Sequence, residues 1–77
     1  MEQGTEVIVR TYSRWGEKTH KATVIALIPA GVSLLDVLPR DRAYPRGVAP
    51  LSVRDRILLV TEYNEIKAPL VGMVKRV

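Results

Sequence analysis

The placement of breakers constrains this chain more than any other feature. Five prolines and five glycines interrupt its apolar residues, and both residue types weaken a helix interior. Five short runs remain: "EVIVRTY" (6–12), "KATVIALI" (21–28), "VSLLDVL" (32–38), "DRILLVTEY" (55–63) and "PLVGMVKRV" (69–77). Each is rich in Val, Ile, Leu or Thr and bounded by turn residues, the pattern of strands. The run 32–38 has room for two helical turns, but Pro29 and Pro39 confine it. Residues 51–54 allow a single helical turn capped by Ser52. The expected fold is mostly β, a small five-stranded barrel forming one domain over residues 1–77.

The connections agree with that reading. Pro29-Ala30-Gly31 reads as a tight turn joining the second and third runs as a hairpin, because proline sets φ and glycine permits positive φ. Residues 39–50, "PRDRAYPRGVAP", carry three prolines and a glycine, so they form an irregular loop. Asn64 falls at the tip of the last hairpin.

A sheet with one wet face alternates apolar and polar residues. Here the second run places Ala22, Val24, Ala26 and Ile28 on one face and Ile25 and Leu27 on the other. The fourth opposes Ile57 and Leu59 to Leu58 and Val60. Two apolar faces exceed what one small barrel interior can hold. Either loops or a neighbouring chain must cover the second, and apolar patches of this kind mark interaction sites. A neighbouring chain is the expectation, so protein neighbours in a larger assembly are expected too.

A chain of 77 residues buries only about 60% of its unfolded surface, so disulfides, metals or partners commonly assist. Cysteine is absent and histidine occurs once, which removes disulfides and makes a structural zinc site improbable. The polar "EQGTE" after Met1 does not read as a signal peptide. The longest apolar run, "ATVIALIPAGV", is broken by Pro29 and Gly31 and falls short of the ~18–20 residues of a membrane span. The expectation is a soluble, cytoplasmic protein with no membrane contact.

Charge is unevenly spread. Between Arg10 and Arg46 lie seven basic residues against Glu17, Asp36 and Asp41, which alone equals the formal net charge of +4. A basic balance favours polyanionic partners. The stretch "RTYSRWGEKTHK" interleaves Arg10, Arg14, Lys18 and Lys21 with Tyr12, Trp15 and His20. Cations bind phosphate, and flat rings stack on unpaired bases or ribose. The plainer alternative has Trp15 folded back over the open end of the barrel and the cations merely solvated.

A second stretch, "RDRAYPRG", repeats the mixture with Arg40, Arg42, Tyr44 and Arg46, and the planar arginine fork binds two phosphate oxygens at once. Asp41 is a candidate partner for Arg14 or Arg40, and Asp55 for its neighbours Arg54 and Arg56. In a meander barrel both basic stretches can lie at the same end and form one surface. Lys75 and Arg76 read as edge-strand charges that block sheet-to-sheet aggregation.

Catalysis has little support. His20 stands between Lys18 and Lys21, no cysteine nucleophile exists, and the carboxylates fall at no recognisable metal or acid/base spacing. No glycine-rich phosphate loop is present. No enzyme activity, metal or cofactor is expected.

The layout of "EVIVRTYSRWGEKTHKATVIALIPAGVSLLDV" resembles the small five-stranded barrels, SH3-like or OB-like, of ribosomal and chromatin proteins. It covers about half the chain as a pattern, without the glycine of the KOW motif. In SH3-like ribosomal barrels the long first loop lies on RNA. The C-terminal "LSVRDRILLVTEYNEIKAPLVGMVKRV" is similar to the closing hairpin of small phage tail and baseplate barrels. There Arg54-Asp55-Arg56 replaces the Gly-Asp pair of a "GDxVLV" strand, while Pro69-Leu70-Val71-Gly72-Met73-Val74 keeps the second half.

The resulting expectation is an RNA-binding structural component of a ribonucleoprotein particle such as the large ribosomal subunit, with RNA preferred to DNA. The alternatives are a phage-type structural assembly protein and, third, a chromatin-type DNA binder.

Overall fold

The computed structural model describes residues 2–77. Its core is a single antiparallel sheet of five strands in the order β4-β3-β2-β1-β5. The strands are β1 (Glu6–Ser13), β2 (Gly16–Ile28), β3 (Arg56–Thr61), β4 (Ile66–Lys67) and β5 (Val74–Arg76). One short helix, α1 (Leu34–Val37), and a 3₁₀ turn, Val71–Met73, complete the secondary structure. The fold is therefore mostly β, as expected. Among the described residues no ladder joins β4 to β5, so the sheet is open at both edges. No helix among them is long and apolar enough to cross a membrane.

The long hairpin β1–β2 replaces the loop expected between the first two runs, over residues 13–20. Its strands pair from Glu6↔Thr23 to Ser13↔Gly16, leaving only Arg14 and Trp15 in the turn. Both keep negative φ while Gly16 takes φ 113°. This is the way a turn of ordinary hand is fitted to twisted strands, with glycine absorbing the mismatch. Ser13 locks it: its hydroxyl accepts from the Trp15 N–H at 3.2 Å and donates to the Gly16 carbonyl at 3.3 Å.

The third expected strand, 32–38, is instead helical. Ser33 caps it by accepting from the Leu35 N–H at 3.2 Å, satisfying a donor that has no partner within the helix. The turn at Pro29–Gly31 consequently leads into α1 and not into a hairpin, and the Gly31 N–H donates to the Ser52 carbonyl. The count of five is made up by β4 (Ile66–Lys67), reached through Asn64 at φ 61°. Residues 51–54 do not form a helical turn; there Ser52 accepts from the Arg54 N–H at 3.1 Å.

Register decides which residues are inside. Val24 pairs with Leu59 but Ala26 pairs with Leu58, so an extra residue, Ile25, bulges out of β2. A bulge reverses the alternation beyond it. Ala22 and Val24 therefore join Val7, Val9, Ile57, Leu59 and Val74 in one core. Ile28 joins Leu34 and Leu58 in a second core, with Ala26 packed against it. The single face expected for Ala22 through Ile28 is corrected by this one residue.

At Ile28 and Leu58 the apolar surface is covered by the chain itself, while Leu27 stays 44% exposed. Val32, Leu34, Val37, Leu38, Tyr44 and Val48 pack onto Ile28 and Leu58, which makes the segment 32–48 a lid over β2 and β3. Leu34 is fully buried, and burying such a side chain contributes about 1.5–3 kcal/mol.

Candidate nucleic-acid interface

Parts of the two basic stretches, Arg10 and Tyr12 of the first and Arg42, Tyr44 and Arg46 of the second, meet along one side of β1. β5 pairs with β1 only from Val7↔Arg76 to Val9↔Val74, because the 3₁₀ turn before it carries the chain away. Beyond Val9 no further residue of β1 pairs with β5. An open groove of about 1180 Å³ follows this edge. Residues Val9 to Tyr12 line one side, the loop 41–49 another, and Glu65 to Leu70 with Met73 close it.

Of the expected binding residues, Arg10, Tyr12, Arg42, Tyr44 and Arg46 line this groove. Arg10 lies 3.3 Å from Glu17 through Nε, while Arg42 donates to the Asn64 carboxamide at 2.9 Å. Tyr12 is 65% exposed and keeps its ring free for stacking. Tyr44 differs: its hydroxyl donates to the Val48 carbonyl at 2.6 Å and its ring packs on the second core. It shapes the loop more than it offers a platform. Arg46 is exposed.

The remaining expected residues lie outside the groove lining. Arg14 and Trp15 form the hairpin tip, with the guanidinium 5.3 Å from the indole centroid. Trp15 is 81% exposed, which rules out the folded-back position. Lys18 pairs across from Thr11 and His20 from Val9, so both side chains project from the face opposite to Arg10 and Tyr12. His20 makes an edge contact with the Tyr63 ring at 5.9 Å, a packing role. Lys21 sits opposite Ile8, on the Arg10 and Tyr12 face. Arg40 is exposed on the loop.

Arg56 was not foreseen as part of the site. It lines the groove yet is only 5% exposed. Its two terminal nitrogens donate to the Ala49 and Pro50 carbonyls at 2.7 and 2.8 Å, while Nε has no partner. The expected pairing with Asp55 does not form; that carboxylate accepts from the Ala30 N–H at 2.8 Å. Nor does Asp41 reach Arg14 or Arg40: among the described residues the ion pairs are Arg10–Glu17 and Glu65–Lys67. A charged residue opening the apolar "RILLV" was the available signal.

The groove is thus lined by Arg10, Arg42, Arg46, Arg56 and Lys67 against Asp41 and Glu65. Arg42, Arg46 and Arg56 face no carboxylate within ion-pair distance among the described residues. Such a surface attracts anions, since low-dielectric walls focus an uncompensated positive field. No group of acidic or histidine side chains that could hold a metal occurs among the described residues. Compared with known proteins, the chain matches no family model, and neither a curated protein nor a solved structure is significantly similar to it.

Proposed function

We propose that this chain is a small RNA-binding barrel, SH3-like in type, that serves as a structural component of a ribonucleoprotein particle. The observation that carries the reading is the convergence of Arg10 and Tyr12 with Arg42 and Arg46 on one groove. A meander from β1 to β4, with β5 returned beside β1, supports the SH3-like form over the Greek-key OB form. Phosphates take the arginines, and the exposed Tyr12 and Trp15 rings take bases or ribose. Exposed Leu35 and Val53 suit contact with neighbouring proteins and keep the phage-type assembly protein as the second reading.

The test is a titration with structured RNA and with duplex DNA at two salt concentrations, following the fluorescence of the single Trp15. RNA should quench it in a salt-sensitive manner, and Trp15→Ala should weaken binding by about 1–3 kcal/mol, measured by filter retention. Silence at low salt, in a protein that elutes as an oligomer, favours the assembly protein instead.

A further inference from the structure

The β1–β2 hairpin outruns the sheet that carries it. Ladders to the neighbouring strands end at Val9↔Val74 and Ala22↔Thr61, yet β1 and β2 pair on to Ser13↔Gly16. The result is a two-stranded arm on which every residue from 12 to 19 is exposed. A ribbon of this kind is only marginally stable in water by itself. Ser13 orders its tip, through the Trp15 N–H and the Gly16 carbonyl. What that tip presents is one large ring, Trp15, at 81% exposure. Arg14 lies over the ring, with its guanidinium carbon 5.3 Å from the centroid. A cation therefore occupies one face of the indole, and the other face is free.

Resting on the RNA-binding reading, we propose that Trp15 caps an RNA helix, stacking its free face on the terminal base pair. The sign of the partner's charge follows from the tip. Glu17 is paired with Arg10, while Arg14 and Lys18 face no carboxylate within ion-pair distance among the described residues. The shape of the partner follows from the ring. Intercalation needs two free faces and a parted base step; a helix end needs one face and no parting.

Magnitudes decide between the two. Expressed as factors in affinity, a second stacked base would gain about five- to 150-fold. Against it stand about two- to fivefold for the displaced cation–π contact and roughly a hundredfold or more for unstacking one step. The second face does not recover that loss. An unpaired base has no step to part, but it must first be ordered, whereas a terminal pair is already held by its helix. Tyr12 stands on the same arm and lines the groove, which joins the cap to the phosphate-binding side.

The experiment compares an RNA stem–loop that has one free end with the same stem closed by a second loop, which hides that end. 2-Aminopurine, a fluorescent base that stacking quenches, is placed either in the terminal pair or in the middle of the stem. The free-ended RNA should bind about tenfold more tightly, and only the terminal probe should respond. Trp15→Ala should bind the two RNAs equally, while Trp15→Phe should keep part of the preference. Neither variant threatens the fold, because the ring is exposed.

Equal binding of the two RNAs by the wild-type protein, or a response from the middle probe, overturns the inference and leaves the RNA-binding reading intact. Tighter binding of an unpaired strand of the same length does the same. No binding of any of these RNAs at low salt overturns both.

Discussion

Arg56 shows how a single side chain can organise a surface it barely touches. It is buried without a carboxylate, and the Ala49 and Pro50 carbonyls receive its hydrogen bonds. Hydrogen bonds from charged groups contribute about 1.5–3 kcal/mol, and carbonyls left without donors are costly. Replacing Arg56 by Met should keep the packing volume, orphan the Ala49 carbonyl, leave the Pro50 carbonyl with the Leu34 N–H alone, and destabilise the fold by about 1–3 kcal/mol, read from urea unfolding. Arg56→Lys should rescue only part of this, because one ammonium does not reproduce the planar fork. Trp15 is the opposite case. At 81% exposure it packs on little but Arg14. Its removal should change stability by no more than about 0.5 kcal/mol, so any loss of RNA binding on Trp15→Ala belongs to the contact itself.

At the scale of elements, the β1–β2 hairpin and α1 follow from local chemistry. Gly16 holds φ 113° with nothing within 4 Å of where a Cβ would stand. The cost of Gly16→Ala is therefore purely that of the left-handed backbone, about 1–2 kcal/mol. A lowered denaturation midpoint with an unchanged slope would show it. Glycine between "SRW" and "EKT" was visible in the sequence, but not that strands would run up to it on both sides. Residues 16–20 are polar and lack an apolar face, so pattern alone reads them as loop. In α1 the ambiguity was different. "VSLLDVL" suits either state, and Ser33 as a cap together with the fit of Leu34 over Ile28 and Leu58 selects the helix. The bulge at Ile25 had no local signal. It arises because β2 must serve two cores at once.

For the molecule as a whole, the proposed RNA binding rests on a field and a shape. Three arginines without carboxylate partners face one groove, and each phosphate neutralised releases counterions. The logarithm of the RNA association constant should fall linearly with that of salt concentration, by roughly 0.7 per phosphate contact for a single strand. The double substitution of Arg42 and Arg46 by Ala should flatten this slope by about one to one and a half, measured by fluorescence at several salt concentrations. A slope unchanged by the double variant would move the phosphate contacts away from the groove. Lys75 and Arg76 lie exposed on β5, an edge strand, where charge opposes the pairing of one sheet with another.

Read alone, the chain determined its β class, its irregular loop at 39–50 and the strand locations around 6–12, 21–28 and 55–63. Breakers and β-branched residues act within a few positions of themselves, so a linear reading captures them. It also marked the basic and aromatic stretches as the polar surface worth attention. Tertiary structure alone decided that Arg10 and Tyr12 would face Arg42 and Arg46 across a groove, while Lys18 and His20 turned to the other face. It also decided that residues 32–48 would close over Ile28 and Leu58, and that the β5 ladder would end at Val9↔Val74. These outcomes depend on register, on one bulged residue and on where a 3₁₀ turn diverts the chain, which are properties of strands paired at long range and not of neighbours in sequence.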